Sequence, residues 1–266
     1  MFNKNRNKKQ KRTGLLILII AILSMSYSSM AYIMPAEQLL GFISENFSVY
    51  KSVVLIQSVL RTTPDNEKIF KEQISLSSPD RYSTKLLDRL GGRDNPPDLT
   101  YLQLLMANQP ARLEHILSAI GIDTKSVSYT RVDGEIAYRI GGKDPESPGL
   151  LIEKSRFIPL LLIYKAPGEP EEKIITVRFQ EYRKESKGWY PFEIVYSESG
   201  GLVERYTVQT FQVNVPVDSA ILQRFPELEI PEEEVPVDEE SDNEEELFIP
   251  EDLIRKIIEG SEEPNE

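Results

Sequence analysis

Residues with the chemistry for catalysis are few in this chain of 266 residues. His115 is its one histidine, and it contains no cysteine. A catalytic histidine works with a nucleophile and an orienting carboxylate, but the sequence has no Gly-x-Ser-x-Gly nucleophile elbow. His115 lies instead within a helical pattern, and we expect it to face solvent. The sequence therefore predicts no catalytic residue and no enzymatic activity.

Four other motifs have a structural explanation that we favour. Glu171-Glu172 resembles a glycosidase carboxylate pair, but it lies in a loop rich in Pro and Gly, so we expect solvated charges. Gly141-Gly142 and Gly200-Gly201 precede no helix that could hold a phosphate, and they predict turns. The aromatic run Trp189-Tyr190-Pro191-Phe192 has the side chains to stack on a sugar or a base, but packing in or around the core is the favoured interpretation.

Composition excludes several other kinds of site. Without cysteine there is no disulfide, no Cys-ligated zinc and no thiol nucleophile, and a single histidine excludes a multi-histidine metal site in a monomer. We therefore expect neither a metal nor a cofactor. The net charge of -12 argues against nucleic acid as a partner. That acidity lies almost entirely in the last 40 residues, so the middle of the chain is nearly neutral.

The amino terminus predicts export. Residues 1–31 contain six Lys and Arg side chains and no acid, followed by a dense apolar run and by Ser29 and Ala31 at small-x-small spacing. This order is typical of a cleaved secretory signal. The alternative is an uncleaved inner-membrane anchor, since residues 14–34 carry no charge. In either case we expect the remainder to lie in the periplasm.

The carboxyl terminus predicts a solvated tail. Residues 232–246 include ten acids, a density that opposes folding. After it, Leu253, Ile254, Ile257 and Ile258 form an apolar stripe, which predicts a short amphipathic helix at about residues 250–259. That helix would dock on a partner or on the domain's own groove, or else be a frayed end without a role.

Between the two ends, residues 32–226 predict one α+β domain. Apolar spacing indicates helices at 35–48, 101–106 and 111–120. Alternating or β-branched runs, separated by short turns, indicate about ten antiparallel strands. The strands are predicted at 53–61, 68–77, 81–88, 126–131, 135–140, 150–154, 157–165, 173–183, 189–197 and 202–213.

Several strands are apolar on one side only, which is typical of a sheet covered on one face. In 175–179 and 190–194 the apolar residues alternate with polar ones. The segments 53–59 and 157–163 are apolar on both sides, so each needs a cover on both faces, or a ligand.

The order of these segments, together with five short motifs, resembles the lipoprotein-carrier (LolA-like) superfamily over about residues 35–226. The motifs are Pro79-Asp80-Arg81-Tyr82, residues 131–141, residues 151–159, Gly188-Trp189-Tyr190-Pro191 and Val213-Asn214-Val215-Pro216. The resemblance implies an incomplete antiparallel β-barrel around an apolar cavity, with helices as a lid. Residues 98–121 then form a helical insertion, and Arg61 and Arg81 are the two candidates for the superfamily's lid-locking arginine.

The resulting hypothesis is a periplasmic carrier that shelters a lipid or the acyl chain of a lipidated protein. An inner-membrane transporter and an outer-membrane acceptor are the further partners that this hypothesis suggests. The alternative is an envelope sensor or membrane-complex module that uses the same fold to recognise a protein. The residues expected to form the lid and line the cavity are Leu40, Ile43, Phe47, Leu104, Leu105, Leu161, Val177, Phe179, Phe192, Ile194 and Tyr206.

Overall fold

The computed structural model describes residues 33–88, 98–166, 173–199 and 201–228. Within these ranges, three α-helices and eleven strands are present. The helices are α1 (Ala36–Ser48), α2 (Thr100–Leu105) and α3 (Pro110–Ala119). The strands are β1 (Ser52–Thr63), β2 (Asn66–Ser77), β3 (Arg81–Leu86), β4 (Val127–Val132), β5 (Glu135–Gly141), β6 (Gly149–Glu153), β7 (Pro159–Lys165), β8 (Ile174–Glu185), β9 (Gly188–Glu198), β10 (Val203–Val213) and β11 (Gln223–Arg224).

All the strands form one antiparallel sheet in the order β11-β3-β2-β1-β10-β9-β8-β7-β6-β5-β4. The chain enters at β1 in the middle and runs outward to β3. It then crosses by α2 and α3 to the far edge at β4 and returns strand by strand until β10 pairs with β1. The two ends of this order, β11 and β4, do not pair with each other. The sheet is therefore an incomplete barrel, as the superfamily resemblance implies.

The three helices pack against one face of the sheet, called here the inner face. In α1 the buried residues recur at helical spacing, so one side of the helix faces the sheet: Leu39, Leu40, Ile43, Ser44 and Phe47. The Asn46 side chain fixes the end of this helix on β9. It accepts a hydrogen bond from Trp189 N at 2.9 Å and donates one to Trp189 O at 3.3 Å.

Gly188 permits this close contact between α1 and β9. A Cβ atom at this position would lie 2.6 Å from the backbone oxygen of Asn46 and 2.8 Å from Tyr50 Oη. No side chain larger than hydrogen fits there without a shift of the helix end.

The inner face and the helices share one large apolar core. A smaller cluster of Val132, Ala137 and Leu151 lies on the other side of the sheet, called here the outer face, with Leu160 and Leu161 packed against it. Both faces of β7 are therefore covered. The register pairs Leu162 with Val177 and Leu161 with Arg178, so Leu161 points to the outer face. This corrects its assignment to the cavity lining.

The elements largely follow the sequence-based expectation, with the short strand β11 as an addition. The insertion at 98–121 contains α2 and α3. The predicted signal or anchor, the acidic tail, its helix at about 250–259 and Glu171-Glu172 lie outside the described residues. Within the described ranges, no helix combines the length and the apolar character needed to cross a membrane.

Candidate functional site

A cavity of about 690 Å³ lies at one end of the half-barrel. Its walls come from the end of β1, the adjoining ends of β8, β9 and β10, the start of α2, and the segment after β11. The lining residues are Arg61, Thr63, Asp98, Leu99, Thr100, Gln103, Ala166, Lys173, Ile175, Tyr196, Glu198, Leu202, Glu204, Tyr206, Pro226 and Leu228.

Strand register brings the charged lining residues together. Arg61 continues the inward-facing positions of β1, two residues beyond buried Val59. It lies opposite Glu204 on β10, and Glu204 lies opposite Tyr196 on β9. Since directly opposite residues of antiparallel strands point to the same face, one transverse row carries a cation, a carboxylate and a phenol into the cavity.

Arg61 and Tyr206 both contact the Glu204 carboxylate. Arg61 Nη1 lies 3.3 Å from Glu204 Oε1, and the Tyr206 hydroxyl donates a hydrogen bond to the same carboxylate. The Glu204 side chain is 5% exposed and that of Arg61 is 18% exposed. The Tyr101 ring, from α2, packs against the Tyr206 ring with centroids 5.5 Å apart. The ion pair therefore belongs to the wall that the insertion helps to cover.

Tyr196 lies at the centre of the acidic side of the cavity. Its hydroxyl donates to Glu198 Oε1 at 2.8 Å. Burial, followed by the negative charges of Asp98, Glu198 and Glu204, raises the pKa of this phenol far above its usual value. Three carboxylates therefore lie within electrostatic range of one hydroxyl. The phenol keeps its proton and acts as a donor.

A second phenol supports Asp98, which precedes α2. The Tyr164 hydroxyl donates to Asp98 Oδ2, while Asp98 Oδ1 accepts from Thr100 N at 2.8 Å. Burial first, and then the Asp98 charge, raise the pKa of Tyr164 well above its usual value. Gln103, one turn into α2, donates to Pro226 O at 3.1 Å. These bonds attach α2 to the sheet and to the segment that closes the cavity.

The lining is amphipathic overall. Charged and hydroxyl groups alternate with aliphatic side chains such as Leu99, Ile175, Leu202 and Leu228. Ile175, Tyr196 and Tyr206 also belong to the large core. The cavity wall is thus continuous with the apolar interior. In the part of the chain that the structure describes, no group of three or more His, Asp or Glu side chains is placed to hold a metal ion.

Ten of the eleven predicted cavity and lid residues lie together, but as packed core. Of this set only Tyr206 borders the cavity; Leu161 is on the outer face. The open space therefore lies beyond the predicted residues, at the polar end of the half-barrel. The ten packed residues are Leu40, Ile43, Phe47, Leu104, Leu105, Val177, Phe179, Phe192, Ile194 and Tyr206, each at most 6% exposed.

Apolar periodicity selects only apolar side chains, so it does not predict the charged residues of the cavity lining. The alternation of side chains along β1 and β10 does indicate two of these residues. Arg61 shares the phase of Val53, Leu55 and Val59, and Glu204 shares that of Tyr206 and Val208. A charged side chain among apolar ones on the buried face of a strand is unusual, and it indicates either a paired ion or a functional site. Of the two candidate arginines, Arg61 borders the cavity and pairs with β10, whereas Arg81 is exposed on β3.

The remaining motifs have structural positions. His115 is exposed on α3. Gly141 adopts a positive φ of 114° where β5 ends, and Gly142 O accepts a hydrogen bond from Arg139, so this glycine pair is part of a turn. Trp189 is half-buried beneath the Arg156 guanidinium, 5.0 Å from its ring, whereas Tyr190 and Phe192 are core residues.

No family model matches this chain, and no curated protein matches it in sequence. Several solved structures are similar to it. A LolA superfamily protein from Nitrosomonas europaea is 12% identical, with a TM-score of 0.48 over 71% of this chain and 98% of the other. A domain described as an outer membrane lipoprotein-sorting protein, from Vibrio parahaemolyticus, is 10% identical, with a TM-score of 0.45 over 70% and 96%. A DUF1329 family protein from Desulfovibrio piger is 10% identical, with a TM-score of 0.43 over 71% and 97%.

The Nitrosomonas europaea protein is named for the superfamily that the sequence resembles. Similarity of this degree says nothing about a ligand of this chain. The function is therefore argued from the cavity itself.

Proposed function

We propose that this protein is a non-enzymatic binding protein of the cell envelope that shelters an amphiphile in the cavity at the end of the half-barrel. The amphiphile is a lipid or the acyl chain of a lipidated protein. The observation that carries the proposal is a cavity of about 690 Å³ with a charged rim and a wall continuous with the apolar core. Pockets of about 300–1,000 Å³ are the size that commonly holds small ligands.

The lining suggests how such a ligand is oriented. Its polar head would lie near Arg61, Lys173 and the carboxylates, and its apolar part along Ile175, Leu202 and the tyrosine rings. Burial of each methylene contributes about 0.8 kcal/mol, before the cost of ordering the ligand. This burial free energy does not depend on specific polar contacts. We therefore expect affinity to depend on the length of the apolar chain more than on the head group.

The cavity can be blocked at Ala166, a half-buried lining residue at the end of β7. The variant Ala166→Trp places an indole in the space, and Ala111→Trp on the exposed side of α3 is the matched control. We expect mass spectrometry of the purified full chain to detect lipids that co-purify. Their recovery should fall by about tenfold with Ala166→Trp, the loss of roughly 1.4 kcal/mol of binding, and stay unchanged with Ala111→Trp.

Absence of any lipid above background from the full chain would argue against the proposal. So would equal recovery from the two tryptophan variants. Circular dichroism and thermal unfolding of both variants establish that the loss comes from the cavity and not from unfolding.

Protein recognition is the second candidate, and one observation favours it. The interior beneath α1 and α2 is filled by side chains, with Leu104 and Leu105 at 0% exposure. A long acyl chain would therefore fit only if those helices moved. A module that recognises a protein through its surface needs no such movement.

A further inference from the structure

Strand β4 lies at one end of the described sheet, and its outward backbone groups can be assigned from the hydrogen-bond pattern. Gly141 N donates to Ser126 O at 2.9 Å, so residues 126 and 141 form a hydrogen-bonded pair. Such pairs alternate along an antiparallel ladder. The even-numbered residues of β4 therefore bond to β5. The odd-numbered residues, Val127 and Arg131 among them, turn their backbone groups to the sheet edge.

A second cavity, of about 430 Å³, adjoins this edge on the inner face. It is lined by Tyr129, Thr130, Arg131, Ile136 and Lys154, two of which are cations and none of which is an acid. Ile136 is 45% exposed. The Lys154 ammonium lies 5.3 Å from the centroid of the Tyr129 ring. The cavity therefore offers positive charge beside an apolar surface.

Three carboxylates lie near this cavity. Glu135 lies opposite Val132 of the outer-face cluster, so its side chain is on the other face of the sheet, and the other two have cationic partners. Asp133 Oδ2 lies 2.9 Å from Arg178 Nη1, and Glu153 is paired with Arg156. Arg131 donates to the backbone oxygen of Gly134 at 2.7 Å, which holds its guanidinium near the β4–β5 turn while the side chain stays exposed. The charge that this cavity presents is thus positive.

A row of aromatic rings continues the apolar surface from the edge to α1. Tyr129 and Tyr138 have centroids 5.1 Å apart, Tyr138 and Phe157 6.4 Å, and Phe157 and Phe42 4.5 Å. Phe42 is 42% exposed on α1. Exposed apolar area beside an edge strand is the usual setting for the addition of a peptide strand.

We propose that an extended acidic segment of a partner protein adds to β4 as a further strand. Its backbone would pair with the outward groups of Val127 and Arg131. Because strand side chains alternate between faces, every second one would lie on the inner face. There an acidic side chain would meet Arg131 and Lys154, and an apolar one, two positions away, would pack against Ile136 and the tyrosine rings. This site is distinct from the cavity at the end of the half-barrel.

The test uses fluorescence anisotropy with the full chain and two labelled synthetic peptides of about ten residues, the length of a long strand. In the Val–Glu peptide, Thr occupies every second position and Glu and Val alternate at the positions between, so that Glu and Val lie on one face of the strand. In the Val–Lys peptide, Lys replaces each Glu. We expect the Val–Glu peptide to bind about tenfold more tightly than the Val–Lys peptide, because like charges at an interface oppose binding.

The double variant Arg131→Glu and Lys154→Glu should reverse the preference. Lys71→Glu with Lys85→Glu, exposed positions on β2 and β3, changes the net charge equally and should leave the preference intact. If the first pair fails to fold by circular dichroism, Arg131→Gln with Lys154→Gln serves in its place and should abolish the preference.

Failure of the Val–Glu peptide to bind, equal binding of the two peptides, or an unchanged preference in the β4 variants would overturn the proposal. Vesicles of phosphatidylglycerol supply the other anionic probe. If these charge variants lose vesicle binding while neither peptide binds the native chain, the occupant is a lipid surface and the proposal is wrong. Lipid co-purification would be unaffected by any of these outcomes, so the two proposals fail separately.

Discussion

At the scale of single residues, the decisive feature is the carboxylate of Glu204, which lies at a position of β10 whose side chain points to the inner face. Glu204 is almost fully buried, and its carboxylate contacts Arg61 and Tyr206. An acid in such a place needs both partners, because loss of one leaves the others desolvated and uncompensated. The residue therefore contributes to stability and also shapes the cavity wall.

Glu204→Gln keeps the shape of the side chain and removes its charge. We expect it to lower the free energy of unfolding by about 2 kcal/mol, because Arg61 then lacks its anionic partner. Urea denaturation checks this value. In a double-mutant cycle, Arg61→Met should cost clearly less in the Glu204→Gln background than in the native chain. Strict additivity of the two substitutions would show that the pair is not coupled.

Tyr164 links stability to alkaline pH. Burial raises the pKa of its phenol well above the usual value, so the folded state keeps the proton that the unfolded chain releases near pH 10. A raised folded pKa gives stability that is complete below pH 10 and is lost as pH rises further.

Tyr164→Phe should therefore start less stable than the native chain at pH 8, by about 1 kcal/mol, because its hydrogen bond to Asp98 is gone. Above pH 10 the free energy of unfolding of the native chain should fall relative to that of Tyr164→Phe, by up to about 1.4 kcal/mol per pH unit. Denaturation curves between pH 8 and pH 11 measure this difference. A gap that stays constant with pH would contradict the assignment.

At the scale of elements, two glycines are expected to respond in opposite ways to substitution: Gly188 lies at the contact of α1 with β9, and Gly41 lies within α1 away from any contact. Gly188→Ala should destabilise the fold by about 1–3 kcal/mol, because its Cβ would meet the Asn46 backbone at 2.6 Å. Gly41→Ala, within α1 and with nothing within 4 Å of the added atom, should stabilise it by about 0.5–1 kcal/mol. Thermal unfolding of both variants tests this, and the same sign for the two would show that α1 is not held as described.

The sequence predicts those features of the elements that follow from helical spacing or strand alternation within one segment. The spacing of Leu39, Leu40, Ile43 and Phe47 predicts α1, and alternation predicts the inner faces of β8 and β9, all as the structure has them. In β7 both faces are apolar, so alternation could not show that Leu161 points outward.

The position of the cavity could not be predicted from patterns within one segment, for a different reason. Its lining comes from elements distant in sequence: Arg61 on β1, Asp98 before α2 and Glu204 on β10. Only the pairing of β1 with β10 brings Arg61 and Glu204 together. These two strands are about 140 residues apart in the sequence. Periodicity within one segment carries no information about such a partner.

At the scale of the whole domain, an open sheet gives two kinds of place where a partner can bind. The end of the half-barrel has a cavity of mixed polarity, and the β4 edge has cations beside apolar rings. We expect the first to hold an amphiphile and the second to hold a peptide. The two sites are separate, so an amphiphile and a peptide could bind at the same time.

The proposed function requires the amphiphile to lie in the cavity at the end of the half-barrel. The most direct measurement is photo-crosslinking of the full chain with a fatty acid that carries a diazirine near the end of its chain, followed by mass spectrometry of the peptides. We predict crosslinks on the cavity wall, at Leu99, Leu202 and Tyr206, and their loss with Ala166→Trp. Crosslinks concentrated on β4 and β5, or none above those of an unrelated protein, would contradict the account.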